Sequence, residues 1–184
     1  MKNKIGIKEI CLTAMMTAVI AVCSWLSVPV MTIPVTMQTF AVFLTLLLCG
    51  GRNGTVSILI YILLGLVGAP VFSGFRAGPS ALFGLTGGYI IGFLIMGIIF
   101  LISEKLISEK LALKVVSLFI GLILCYAFGT LWFIIIYNAG EEQIGVKAAL
   151  SLCVLPFILP DLLKLTLATV LYKAIKPALE RIKS

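Results

Sequence analysis

Charged side chains punctuate this chain without covering it, and the stretches between them set the architecture. No charge occurs in residues 10–51, 53–75, 77–103 or 115–140. A helix that crosses a bilayer needs about 20 predominantly apolar residues, and residues 10–28, 81–102 and 115–137 meet that requirement. Two apolar runs are shorter: 39–49, entered past Pro29 and Pro34, and 55–67, after the turn Gly50-Gly51-Arg52-Asn53-Gly54. Their ends must borrow flanking residues, or the bilayer must thin around them. The run 148–171 is long enough but carries Pro156, Pro160, Asp161 and Lys164. The pattern predicts an all-α polytopic membrane protein with six spans, near 10–28, 36–50, 54–69, 81–102, 115–137 and 148–172. Residues 1–184 then form a single integral membrane domain, and a re-entrant short segment would change the count to five or seven.

Composition agrees. Hydrophobic residues make up 61% and charged residues 11%, against about 25% charged in a soluble domain. An even number of spans puts both termini on one side. The bias of Lys and Arg toward cytoplasmic loops identifies that side. The termini and the 2–3 and 4–5 loops hold Lys2, Lys4, Lys8, Arg52, Lys105, Lys110, Lys114, Lys173, Lys176, Arg181 and Lys183, eleven of the fourteen. Cytoplasmic N- and C-termini follow. The net charge of +7 is then an orientation signal, and no nucleic-acid partner is expected. The first apolar run is long and lacks a small-x-small cleavage site, so an uncleaved first span is expected. With no His and only scattered acids, no metal cluster and no resident cofactor are expected. Cys11, Cys23, Cys49, Cys125 and Cys153 all lie in apolar stretches and read as small hydrophobes.

The residues out of place gather at the outer end. The 1–2 loop, residues 28–38, is uncharged and apolar; it lies on the membrane surface or folds over an apolar site as a lid. The Gly- and Pro-rich 3–4 loop carries Arg76 on the positive-poor side. Its planar fork suits a carboxylate or phosphate, or anchors the loop to headgroups. Asp161 and Lys164, three apart within the last span, share a helix face. They form either a pair that holds helices together or part of a binding site, and a proline-broken helix at a polar spot favours the site. Gly84, Gly88 and Gly92 form a small-residue row for close helix packing, and Ala14 and Ala18 form a second row that contacts another span or a separate subunit. No phosphate-binding Gly-rich loop and no His-based nucleophile is present. The chain therefore reads as a non-enzyme. A stand-alone proton-coupled carrier of a small organic anion, using Asp161 and Lys164, is the alternative to a pure binding subunit.

Four runs bear a family likeness in order and spacing: Pro34-Val35-Thr36-Met37-Gln38-Thr39-Phe40, Tyr61-Ile62-Leu63-Leu64-Gly65-Leu66-Val67-Gly68-Ala69-Pro70-Val71-Phe72, Thr86-Gly87-Gly88-Tyr89 and Pro156-Phe157-Ile158-Leu159-Pro160-Asp161-Leu162-Leu163-Lys164. Together they resemble BioY, the biotin-specific substrate-binding (S) component of energy-coupling factor (ECF) transporters, over nearly the whole chain. The family usually has Gly-Gly where Gly74-Phe75 stands, Gly-Pro-Thr-Gly-Gly-Tyr where Gly84-Leu85-Thr86 begins, and Pro-Gly-Asp where Leu159-Pro160-Asp161 stands. The resemblance implies the S-component fold in a prokaryotic plasma membrane. It implies capture of biotin on the outer side and ATP-driven uptake by a transmembrane coupling subunit and two ATPase subunits, with Ala14 and Ala18 docking on the coupling subunit. Biotin carries a carboxylate, an apolar body and a ureido group. The expected contacts are Arg76, Asp161 and Lys164 for its polar ends, with Gln38, Thr86 and Tyr89 adding hydrogen bonds. Phe72 and Phe75 would close the apolar side.

Overall fold

The computed structural model describes residues 6–28, 33–106, 110–140 and 143–183. Lys2, Lys4 and Pro29 to Thr32 of the 1–2 loop lie outside the described residues. So do the side chains of Arg181 and Lys183. Helices dominate: α1 (Ile7–Trp25), α2 (Gln38–Leu66), a four-residue α3 (Pro79–Leu82), α4 (Gly87–Leu106), α5 (Leu111–Asn138), α6 (Val146–Cys153) and α7 (Leu155–Lys183). Two short strands, β1 (Ser27–Val28) and β2 (Val35–Thr36), pair antiparallel with Ser27 opposite Thr36, and the described residues of the 1–2 loop form a flap.

The 29 residues of α2 are not one rod. A continuous helix of that length would run about 43 Å, yet Gln38 Nε2 donates to Tyr61 Oη at 2.8 Å. The chain doubles back at Gly50, whose φ of 76° and ψ of 172° only glycine adopts freely. Gly51 lies so close to α4 that a Cβ would sit 2.5 Å from Leu101 Cα. The Glu104 carboxylate receives the Gly51 N–H, and its other oxygen pairs with Lys114 Nζ at 3.0 Å. An acid at the N-terminus of the second arm also complements the helix dipole. One carboxylate thus ties the α2 turn, the end of α4 and the start of α5 together.

Five helices among the described residues are long and apolar enough to cross a membrane when α2 is counted once and α6–α7 is taken together. The two arms of α2, residues 38–49 and 51–66, bring the bundle to six rods, as the sequence predicts. The first rod ends at Trp25, because Ser27 and Val28 form β1, the last runs on to Lys183, and three further boundaries differ. The expected turn of residues 50–54 contracts to Gly50, because Arg52 to Gly54 are already helical. The fourth rod begins at Gly87 and not at 81, because α3 and a turn occupy 79–86. The sixth breaks at Val154, where φ −122° and ψ −55° separate α6 from α7.

The first arm of α2 is the axis of the bundle: residues 41–48 are buried on every face. Around it pack α1, the second arm, α4 and α7, with Phe43, Tyr61, Phe72, Met96 and Phe100 at the centre. Small residues permit close approach. A Cβ at Gly88 would meet Trp132, and one at Gly92 would meet Cys125, so α4 lies tight on α5. Gly84 sits before the helix and accepts a hydrogen bond from Trp132 Nε1 at 3.0 Å. Between α1 and α2, Thr17 Oγ1 donates to the Ser57 carbonyl at 3.2 Å and Ser57 Oγ to the Thr13 carbonyl at 3.1 Å. The outer surface is apolar, with Val22, Leu63, Ile123, Leu131, Leu163 and Val170 all exposed. Apolar side chains turned outward over whole helix faces need lipid around them.

Candidate functional site

The 1–2 and 3–4 loops, together with α2, α4, α5, α6 and α7, deliver the walls of one cavity. The flap brings Ile33, Pro34 and Thr36; the start of α2 brings Gln38 and Thr39; the 3–4 loop brings Phe72 and Arg76. Thr86 and Tyr89 come from the head of α4, Cys125 and Tyr126 from α5, Cys153 from α6, and Phe157, Asp161 and Lys164 from α7. The 1–2 loop, where described, is a lid: Ile33 is buried against Phe133, Ala149 and Cys153.

The polar floor centres on Asp161 and Lys164, 2% and 7% exposed and joined at 2.7 Å. Thr39 Oγ1 donates to Asp161 Oδ1 at 2.9 Å and accepts from Lys164 Nζ at 3.2 Å. Tyr126 Oη donates to Asp161 Oδ2 at 2.6 Å. A buried charge pair is costly unless its remaining hydrogen-bonding capacity is met, and here two hydroxyls meet most of it. Pro160 removes the backbone donor that would serve the carbonyl of Pro156, one turn above this floor.

Gln38 donates to Tyr61 Oη, which in turn donates to the Val71 carbonyl at 3.2 Å. Ser24 Oγ donates to the same carbonyl. This chain fixes the amide plane of Gln38 at the cavity wall. Tyr89 Oη shares a hydrogen bond of 2.9 Å with Thr130 Oγ1. At the rim, exposed Arg76 donates through Nε to the Ser73 carbonyl at 3.1 Å and through Nη2 to Thr86 Oγ1 at 3.3 Å. Among the described residues its guanidinium has no carboxylate partner.

Seven of the eight residues expected to bind the ligand therefore line one cavity: Gln38, Phe72, Arg76, Thr86, Tyr89, Asp161 and Lys164. Phe75 does not. It is 63% exposed and stacks on Trp25 with ring centroids 5.1 Å apart. The cause is local: Gly74 and Phe75 both take positive φ, 70° and 56°, which swings the ring out of the cavity. Ala14 and Ala18 lie exposed on the face of α1 turned away from α2. Thr39 and Tyr126 escaped the reading of the sequence. Tyr126 did leave a trace, because a Tyr in the middle of a span departs from the usual placement at the interfaces.

The sequence model described as the BioY family matches residues 1–181. The chain is similar to the biotin transporter BioY of Thermotoga maritima, 36% identical over 161 residues, covering 87% of this chain and 90% of that protein. It is also similar to the biotin transporter BioY2 of Lactococcus lactis subsp. cremoris, 36% identical over 168 residues, covering 91% and 90%. Among solved structures, it is similar to the crystal structure of the S-component for biotin from an ECF-type ABC transporter. There the TM-score is 0.83 at 25% identity, covering 96% of this chain and 95% of the other.

Proposed function

The chain belongs to the BioY family, and from that premise we propose that it is the biotin-binding S component of an ECF importer, capturing biotin from outside the cell. The observation that carries the reading is the cavity's division of charge. Asp161 and Lys164 cancel at its floor, while Arg76 stands at its rim without a carboxylate partner among the described residues. Biotin divides the same way, with a neutral cyclic ureido group at one end and a carboxylate at the other.

The neutral floor suits the ureido group: Asp161 accepts from N–H, and Lys164 donates to C=O. Arg76 takes the carboxylate, for which its fork is shaped. Gln38, Thr86 and Tyr89 supply hydrogen bonds along the way, and Phe72 packs on the apolar ring and chain. A net +1 from Arg76, Lys164 and Asp161 meets the ligand's −1.

The protein acts without catalysing a reaction, and ATP is hydrolysed by two partner ATPase subunits. The coupling subunit docks along Ala14 and Ala18, where exposed small side chains let a second helix approach. The Lys- and Arg-rich end faces the cytoplasm of a prokaryotic cell, across its plasma membrane.

Uptake of labelled biotin by cells with no biotin synthesis or transport of their own tests this. Expression of the chain with a coupling module should confer uptake that falls when ATP is depleted. Uptake by the chain alone that follows an imposed pH gradient would favour a proton-coupled carrier instead.

A further inference from the structure

The hydroxyl of Tyr126 has no use as a wall. The side chain is half-buried between the binding cavity and an apolar groove lined by Phe119, Ile123, Leu150, Ile158 and Leu162, and a phenyl ring would separate the two as well. Its position near the middle of α5 also makes a polar atom costly unless it is bonded. The hydroxyl is bonded to Asp161 alone among the described residues.

An ionised carboxylate offers about four acceptor sites. Lys164 and Thr39 occupy Oδ1, and Tyr126 occupies one site on Oδ2. One acceptor site remains on Oδ2. The Lys164 ammonium has three donors, of which Asp161 and Thr39 take two. The floor is left with one acceptor beside one donor. If Tyr126 released Oδ2, the carboxylate could turn both oxygens toward Lys164, and the pair would close on itself.

We infer that Tyr126 is a positioning residue for ligand recognition, pinning Asp161 Oδ2 so that its last acceptor site and the last Lys164 N–H stay open to the ligand. The inference rests on the biotin reading of the same cavity. Tyr126 makes no demand on the ligand itself; it acts through Asp161.

The test is a double-mutant cycle read by calorimetric titration of biotin into the detergent-purified chain, with melting curves to show that each variant folds. Tyr126→Phe weakens binding about tenfold, the scale of one charge-assisted hydrogen bond. Asp161→Asn weakens it as well, and the double variant binds no more weakly than Asp161→Asn alone. If the two losses multiply, or Tyr126→Phe binds as the unaltered chain does, the inference is overturned. Should Asp161→Asn fail to fold, the cycle closes from the ligand side with the two singly N-methylated biotins. Tyr126→Phe then makes no difference to the isomer blocked at the nitrogen that faces Asp161, and an equal loss on biotin and both isomers overturns the inference. Failure of the unaltered chain to bind biotin would overturn the proposed function, and this inference with it. Binding by the unaltered chain with no effect of Tyr126→Phe would overturn this inference alone.

Discussion

At the scale of single residues, the two cations proposed to take different ends of the ligand have different surroundings. Arg76 is exposed at the rim, whereas Lys164 is buried and already paired. Arg76→Ala should therefore weaken biotin about tenfold, a loss of roughly 1–2 kcal/mol. The same variant should leave binding of biotin amide, which lacks the negative charge, almost unchanged. Equal losses for acid and amide in parallel titrations would remove Arg76 from the carboxylate. Lys164→Ala should do something else, because it strands Asp161 without a counter-charge in the interior. Stability should fall by about 3–5 kcal/mol, visible as a lowered melting temperature even without ligand. An unchanged melting temperature would mean that the pair is not buried as described. The sequence made these two cations and Asp161 conspicuous because charges are rare in so apolar a chain. It hid Thr39, because a hydroxyl is ordinary within a span, and of Tyr126 it showed only an unusual mid-span position without its partner. Only the fold brings them to Asp161, across separations of 122 and 35 residues. It misplaced Phe75, because residue type alone does not announce a left-handed backbone.

At the scale of elements, glycine decides how closely the rods meet. The ring of Phe72 fills the space a side chain at Gly65 would need: a Cβ there would lie 2.0 Å from Phe72 Cζ. That ring is 1% exposed, lines the cavity, and meets Tyr61 edge-on with centroids 5.5 Å apart. Gly65→Ala should displace it, costing about 1–3 kcal/mol of stability and weakening biotin together with it. Gly145→Ala is the control, since nothing lies within 4 Å of the added methyl; it should stay within about 0.5 kcal/mol of the parent. Melting curves and titrations of the two variants decide the point, and equal behaviour would contradict the packing described. The apolar runs made the rods legible, but not all of their ends. The turn at Gly50 is shorter than its glycines and Asn53 suggested, because Glu104 and Lys114, far along the chain, hold it in place. The break at Val154 has no marker of its own in the sequence beyond the nearby Pro156.

At the scale of the whole molecule, an apolar exterior surrounds the binding cavity, whose rim residues Arg76 and Thr86 lie at the end poor in Lys and Arg. The proposed orientation is checked by an impermeant thiol reagent applied to intact cells, in a background without native cysteines. Val146→Cys, at an exposed position on the outer side, should be labelled, and Arg52→Cys, at the opposite turn, should not. The reverse pattern would invert the topology and place the cavity inside. The central claim is that this chain, by itself, holds biotin. It is tested most directly by calorimetric titration of biotin into the detergent-purified chain after co-purified ligand has been removed. The account predicts a tight, saturable signal with one biotin per chain. A folded protein that gives no signal would contradict it.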